Sequence, residues 1–327
     1  MKFVVCGAGA WGTAMALHLA HANHRVVLIP RSEDKARIMR ERGCNCFYLP
    51  NISFPQNLIV DHSVEKYLAD CDALFLACPA KGLKNLCESL QQQPQSSRVP
   101  WIISLVKGLE REHLYRPSEI VHQYFPNLKF AVLSGPTYAL EFAQGKPAAM
   151  VLASNASTEM MQQAISNNNV RVYTSQDFVG IELASCLKNI YALGAGILDG
   201  LQLGDNAKAA YLTRALNEMC VFGSALGGQR ATFYGLGGLG DLMATAQGTW
   251  SRNRTFGEAF AKGVPIEKLL QQYTVEGYWS LEGFYKITRE KNLEVPILQE
   301  LYNVIYNNTA LENSVNQLML RKLKNEF

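Results

Sequence analysis

An α/β fold, with a mostly parallel sheet in the first half and helices alone in the second, is predicted by three observations. Apolar runs alternate with helical stretches up to about Asp177. A glycine pattern, G-x-G-x-x-G, closes the first of those runs. Beyond Asp177 the β-branched runs thin out and the apolar spacing becomes that of long helices. Strands separated by helices imply parallel neighbours covered on both faces. The 327 residues suit two domains, 1–177 and 178–327, packed closely because no Pro/Ser-rich linker divides them.

The elements follow in order. "KFVVC" reads as a buried strand and the stretch after Trp11 as a helix. "RVVLI" is a second strand, and "SEDKARIMRER" a charged helix stopped by Gly43. The later strands are "ALFLACP", "VPWIISL", "KFAVL", "AAMVLA" and "VRVYT", with "QQQPQSS" a surface loop between two of them. The helical half opens with "LASCLKNIYALGAGILDG", which is small-residue-rich and apolar yet carries Lys188 and Asn189 near its middle. It continues through "NAKAAYLTRALNEMCVFGSAL", "IEKLLQQY", "SLEGFYKITREK" and "PILQELYNVIY".

Composition narrows the function. At 48% hydrophobic and 18% charged residues the chain can build a sizeable core. A formal charge of +3 gives no sign of a nucleic-acid or anionic-membrane partner. The N-terminal apolar run is broken at once by glycines, and no apolar stretch is both long and clean enough to span a bilayer. The expectation is a soluble cytoplasmic protein. The eight cysteines show no C-x-x-C spacing, and Cys44 and Cys46 merely flank Asn45. They read as free thiols, with no metal site.

Gly7, Gly9 and Gly12 follow a strand and open a helix, the context in which the pattern holds a dinucleotide and the fold is Rossmann-like. Gly7 would permit the turn, and Gly9 the approach of a pyrophosphate to the helix N-terminus. Gly12 would let helix pack on strand. At the end of the second strand stands Arg31, where an NAD-preferring site would place an acid. An arginine there can pair with a 2′-phosphate, so the cofactor is NADPH or NADH with NADPH favoured. Glu33 and Asp34 read as helix N-terminal acids. A second glycine run, "GLGGLG" over 235–240, follows no strand. It is expected to be a tight turn that delivers Asp241.

Polar residues gather against small ones elsewhere. Lys107 lies just past a strand end, as do Ser134, Gly135 and Thr137. "GLGDLMATAQGTWSRNRTFG" carries Asp241, Thr245, Ser251, Arg252, Asn253 and Arg254, and "TVEG" carries Glu276. Each has a plain structural reading as cap, solvated surface or snorkelling lysine. Together they supply a proton-transfer group for a hydride exchange and donors for a phosphorylated substrate.

In order along nearly the whole chain, "GAGAWGTAMA", "VKGLE", "SGPTYALE", "LKNIYALGAGILDGL", "NAKAAYLTRALNEM", "GLGDLMAT", "SRNRTFG" and "VEGY" resemble the bacterial-type NAD(P)-dependent glycerol-3-phosphate dehydrogenases. The resemblance implies reduction of dihydroxyacetone phosphate to sn-glycerol 3-phosphate, a precursor of phospholipid backbones. It implies that Lys188 is the catalytic lysine, with Asn189 beside it and Lys107 touching cofactor and substrate. Gly135 and Thr137 would bind substrate, and Asp241 and Thr245 would surround the lysine. Ser251, Arg252 and Asn253 would hold the phosphate. Ala10, Trp11, Arg31, Ala139, Arg252, Thr274 and Glu276 would contact the cofactor. Position 10 is alanine where the family often has serine, "ASCLKN" is bulkier than the usual lead-in, and "ATAQGTW" differs before Ser251. In this reading Lys107 lowers the Lys188 pKa and Asp241 raises it. A homodimer is compatible with the sequence but is not specified by it. Two rivals stand beside this reading: a β-hydroxyacid dehydrogenase, which "SRNR" and the Lys-Asn pair disfavour, and a non-catalytic NAD(P)H-binding module, which would not need Lys107, Lys188 and Asp241 together.

Overall fold

The computed structural model describes residues 1–323, 325 and 326. Its first half runs β1 (Lys2–Cys6), α1 (Ala10–His21), β2 (Arg25–Ile29), α2 (Glu33–Arg42), β3 (Cys44–Asn45), β4 (Leu49–Ser53), β5 (Leu58–Val60), β6 (Ala73–Leu76), α3 (Leu83–Gln91), β7 (Trp101–Ser104), α4 (Pro117–Tyr124), β8 (Lys129–Ser134), α5 (Ala139–Ala143), β9 (Ala148–Ala153), α6 (Glu159–Ile165) and β10 (Val170–Ser175). Every residue of β6 and β7 is buried, as expected of strands covered on both faces. The eight-stranded sheet has the order β10-β9-β8-β7-β6-β1-β2-β5. All neighbours are parallel except β8 and β9. Gly43 ends α2 in the left-handed region at φ +64°, so the predicted stop is a glycine C-cap.

The second half is helical: α7 (Phe178–Gly200), α8 (Gly204–Ala225), α9 (Asp241–Gln247), α10 (Arg252–Ala261), α11 (Ile266–Gln272), α12 (Glu276–Lys291), α13 (Pro296–Tyr306) and α14 (Leu311–Met319). Helix α7 is the axle, buried from Gly180 through Ile197. It approaches α10 at backbone distance, because a Cβ on Gly196 would overlap the Arg254 carbonyl and one on Gly257 the Leu193 carbonyl. By length and a mean hydropathy of 1.3, α7 does qualify as a span, contrary to the sequence reading. It is 94% buried within the protein, so its apolarity serves the core.

The structure departs from the sequence expectation at two further places. The 235–240 glycine run is not a tight turn: Leu236–Gly240 forms one turn of π-helix running into α9. A Cβ on Gly238 would overlap the Phe233 carbonyl, so the coil is wound close. The β3–β4 hairpin and β5 were not anticipated; both are short, and β4 is largely exposed.

Candidate active site

Strands β1 and β6 are neighbours, while the chain between them departs to the β2–β5 edge. The carboxyl ends of β1, β6 and β7 therefore open at a topological switch point, where ligands of such sheets bind. Gly7 follows β1 at φ +118°, with the Ala77 carbonyl oxygen 2.5 Å from where a Cβ would be. A Cβ on Gly12 would overlap the Gly7 carbonyl, so only glycine allows α1 to start this close to β1. Gly9 instead faces open space, with nothing within 4 Å of its Cβ position. It caps α1 without a side chain, and the first turn carries no acid, so the N–H groups there remain available to an anion. The Trp11 ring lies 5.0 Å from that of Phe142, and its buried Nε1 has no partner. Vacant backbone donors, a missing Cβ and an orphaned indole N–H fit a dinucleotide pyrophosphate.

Asn45 was missed by the sequence reading. It is fully buried and donates to the Ala8 carbonyl at 3.0 Å and to Thr13 Oγ1 at 2.7 Å, tying the glycine loop to α1. No motif marks it; its partners are 37 and 32 residues away. Arg31 is exposed beyond β2, and Ser32 caps α2, with Glu33 and Asp34 in its first turn as expected.

Across the crevice, Lys188 is 5% exposed. Its Nζ donates to Asp241 Oδ1 at 2.6 Å and to Thr245 Oγ1 at 2.8 Å. Thr245 donates in turn to the Asp241 carbonyl at 2.6 Å. Asp241 is the first residue of α9, and its other oxygen accepts from Lys107 Nζ at 2.7 Å. One carboxylate thus joins a lysine from the loop after β7 to a lysine from α7. Burial pushes the Lys188 pKa down; Asp241 opposes this and Lys107 reinforces it, bringing the ammonium from 10.5 to about 7. Burial alone would raise Asp241, but the Lys107 and Lys188 ammoniums outweigh it and hold the carboxyl below its usual value. Desolvation has a larger effect than either charged neighbour.

Asn189, one residue on, donates to the Ser185 carbonyl and accepts from Asn253 Nδ2 at 2.9 Å. Asn253 Oδ1 accepts the Gly277 N–H at 2.9 Å, so one amide chain links α7, α10 and α12. Ser251 caps α10 by accepting from the Arg254 N–H at 3.3 Å, leaving its hydroxyl proton free to donate. The arginines of "SRNR" part ways: Arg252 is exposed, while Arg254 binds Asp199 at 2.6 Å and Glu258 at 3.3 Å. Gly135 has φ +152°, and a Cβ there would lie 2.9 Å from the Ala149 carbonyl oxygen. Thr137 Oγ1 donates back to that glycine's carbonyl at 3.3 Å, and Ala139 opens α5. Ser134 shares a hydrogen bond with Ser185 of α7 at 2.7 Å. Glu276 opens α12 beside Gly108; burial raises its pKa against the pull of Arg111 and Arg252. Thr274 is exposed, and Ala10 half-buried. All eight cysteines are free thiols, although Cys44, Cys46 and Cys78 are only partly buried.

A glycine loop shaped for a dinucleotide, together with a buried lysine whose pKa lies near neutrality, defines an NAD(P)-dependent oxidoreductase. Comparison with known proteins narrows the class. The family profile described as NAD-dependent glycerol-3-phosphate dehydrogenase N-terminus matches residues 2–160, and its C-terminus counterpart matches 177–316. The glycerol-3-phosphate dehydrogenase (NAD(P)+) of Thermus thermophilus is 39% identical over 100% of both chains. That of Bartonella tribocorum is 36% identical over 100% of this chain and 99% of its own. The crystal structure of glycerol-3-phosphate dehydrogenase from Coxiella burnetii superposes with a TM-score of 0.91, at 31% identity, over 98% of this chain and 99% of that one. The chain belongs to the NAD-dependent glycerol-3-phosphate dehydrogenase family.

Proposed function

We propose that the protein reduces dihydroxyacetone phosphate to sn-glycerol 3-phosphate, with Lys188 as the proton donor, and so supplies glycerophospholipid synthesis. The observation that carries this reading is the buried Lys188 ammonium, held at 2.6 Å from Asp241 and 2.8 Å from Thr245. A dihydronicotinamide cofactor held at the Gly7–Gly12 loop would supply hydride to the carbonyl carbon. Lys188 Nζ gives its proton to the carbonyl oxygen, which becomes the alcohol, and is left as a neutral amine. In the reverse direction that amine takes the alcohol proton. Asp241 keeps the ammonium aligned and shares its charge with Lys107, which is well placed to touch the substrate. The phosphate fits the start of α10, where Ser251, Arg252 and Asn253 offer a hydroxyl, a guanidinium and an amide at a helix N-terminus. Gly135 and Thr137 would close the other side. Free thiols throughout agree with a cytoplasmic setting.

Purified protein should oxidise NADPH with dihydroxyacetone phosphate and not with dihydroxyacetone. Comparable kcat/KM on the two would remove the phosphate from the reading, and turnover of β-hydroxyacids instead would favour the rival enzyme class. Arg31 bears on cofactor choice. Arg31→Ala should raise KM for NADPH far more than for NADH, because only the former offers a 2′-phosphate. Equal increases would show that Arg31 does not read that group.

A further inference from the structure

The segment between β8 and α5 carries one residue that the reaction above does not use. Tyr138 is half-buried, and its hydroxyl crosses from the sheet half to donate to the Ala244 carbonyl in α9. That carbonyl already accepts the Gly248 N–H at 3.0 Å. The tyrosine is therefore not there to satisfy an orphaned group; it adds a tether. Gly248 supplies an independent observation. Its φ of −74° and ψ of 138° are open to any residue, so no conformational demand requires glycine. The demand is for space: a Cβ at Gly248 would overlap the Tyr138 hydroxyl. The other end of α9 meets the same segment, since the Pro136 ring lies 3.5 Å from the Cβ position of Gly240.

We propose that Tyr138 is a positioning residue, a latch that clamps α9 and the turn into Ser251 against the Gly135–Thr137 segment so that the phosphorylated substrate meets a fixed site. The proposal rests on the functional reading above for the substrate's identity. Helix α9 is seven residues long and carries both Asp241 and Thr245, the partners of Lys188. Lys107 and Pro136 hold its first turn from the sheet half, and Tyr138 holds its last. Releasing the last turn leaves the 248–250 connection to Ser251 without its cross-cleft anchor.

Tyr138→Phe keeps the ring and removes only the tether. We expect kcat/KM for dihydroxyacetone phosphate to fall about fivefold or more, the scale of one ordinary hydrogen bond. NADPH binding, read by fluorescence, should stay within about twofold of the parent, because the cofactor loop is held by other elements. Hydrogen exchange across α9 should quicken while that of α7 does not. Gly248→Ala should reproduce the kinetic loss, and should cost less when added to Tyr138→Ala, in which the crowded hydroxyl and ring are gone. Unchanged exchange in α9, or unchanged substrate kinetics in an active enzyme, overturns the latch, as do equal losses for cofactor and substrate. A parent protein inactive on dihydroxyacetone phosphate overturns the functional reading instead, and exchange in α9 then still decides the latch.

Discussion

Lys188→Met should lose on the order of a hundredfold to ten-thousandfold in kcat at saturating substrate, the usual cost of removing a general acid–base. Methionine keeps the approximate bulk in α7, where the side chain is almost wholly enclosed, but has neither charge nor proton. NADPH binding should persist, because the loop from Gly7 to Gly12 is built on β1 and α1 and owes nothing to α7. The pH dependence carries the sign. With the ammonium pKa at about 7, reduction, which consumes the proton, should slow as pH rises through that value. Oxidation, which needs the amine, should quicken over the same range. The variant should lose this ionisation in both directions. A variant with near-normal kcat and only a raised KM would make Lys188 a binding residue and Lys107 the leading candidate for the proton.

The parts of this site that were legible in the sequence are those that break a local pattern. A lysine in a small-residue helix, a lysine just past a strand and an aspartate after a glycine run are each out of place locally, and the fold brings them onto one carboxylate. The long apolar strands were legible for the same reason, since continuous burial writes a continuous apolar run. The short β3, β4 and β5 wrote none: β4 buries only its first residue. The antiparallel β8–β9 pair was also invisible, because strand direction depends on how the thirteen-residue connection folds back and not on either strand's composition. Asn45 lies in the two-residue β3 and reveals itself only through the Ala8 carbonyl and the Thr13 hydroxyl, both far away along the chain. Nor could "SRNR" say which arginine faces the site; that is decided by Asp199, 55 residues earlier in sequence than Arg254. Glu218 reads as one more polar residue in "LNEM". In the fold it caps α13, accepting from the Ile297 and Leu298 N–H groups at 2.6 and 3.0 Å.

Asp241→Asn should be the most informative change after Lys188. The substitution keeps the shape of the side chain but removes the only carboxylate hydrogen-bonded to both Lys107 and Lys188 among the described residues. An amide can accept from one lysine with its oxygen, but turns its N–H₂ towards the other. Two ammoniums then face each other in a buried site, and the carboxylate attraction that opposed burial and Lys107 in setting the Lys188 pKa is gone. The Lys188 pKa should therefore fall below its value of about 7. Each unit lost removes tenfold of the ammonium at pH values above the pKa. Reduction at neutral pH should fall on the order of ten- to a hundredfold, and its pH profile should move to lower pH. Oxidation uses the amine, so it should lose less, and the ratio of oxidation to reduction rates measured under fixed conditions should rise. Breaking a buried ion pair also costs about 3–5 kcal/mol of stability, so the thermal midpoint should drop alongside. Both readings are needed: a lower midpoint with an unmoved pH profile would make Asp241 a structural strut between α9 and α7, with no part in poising the proton.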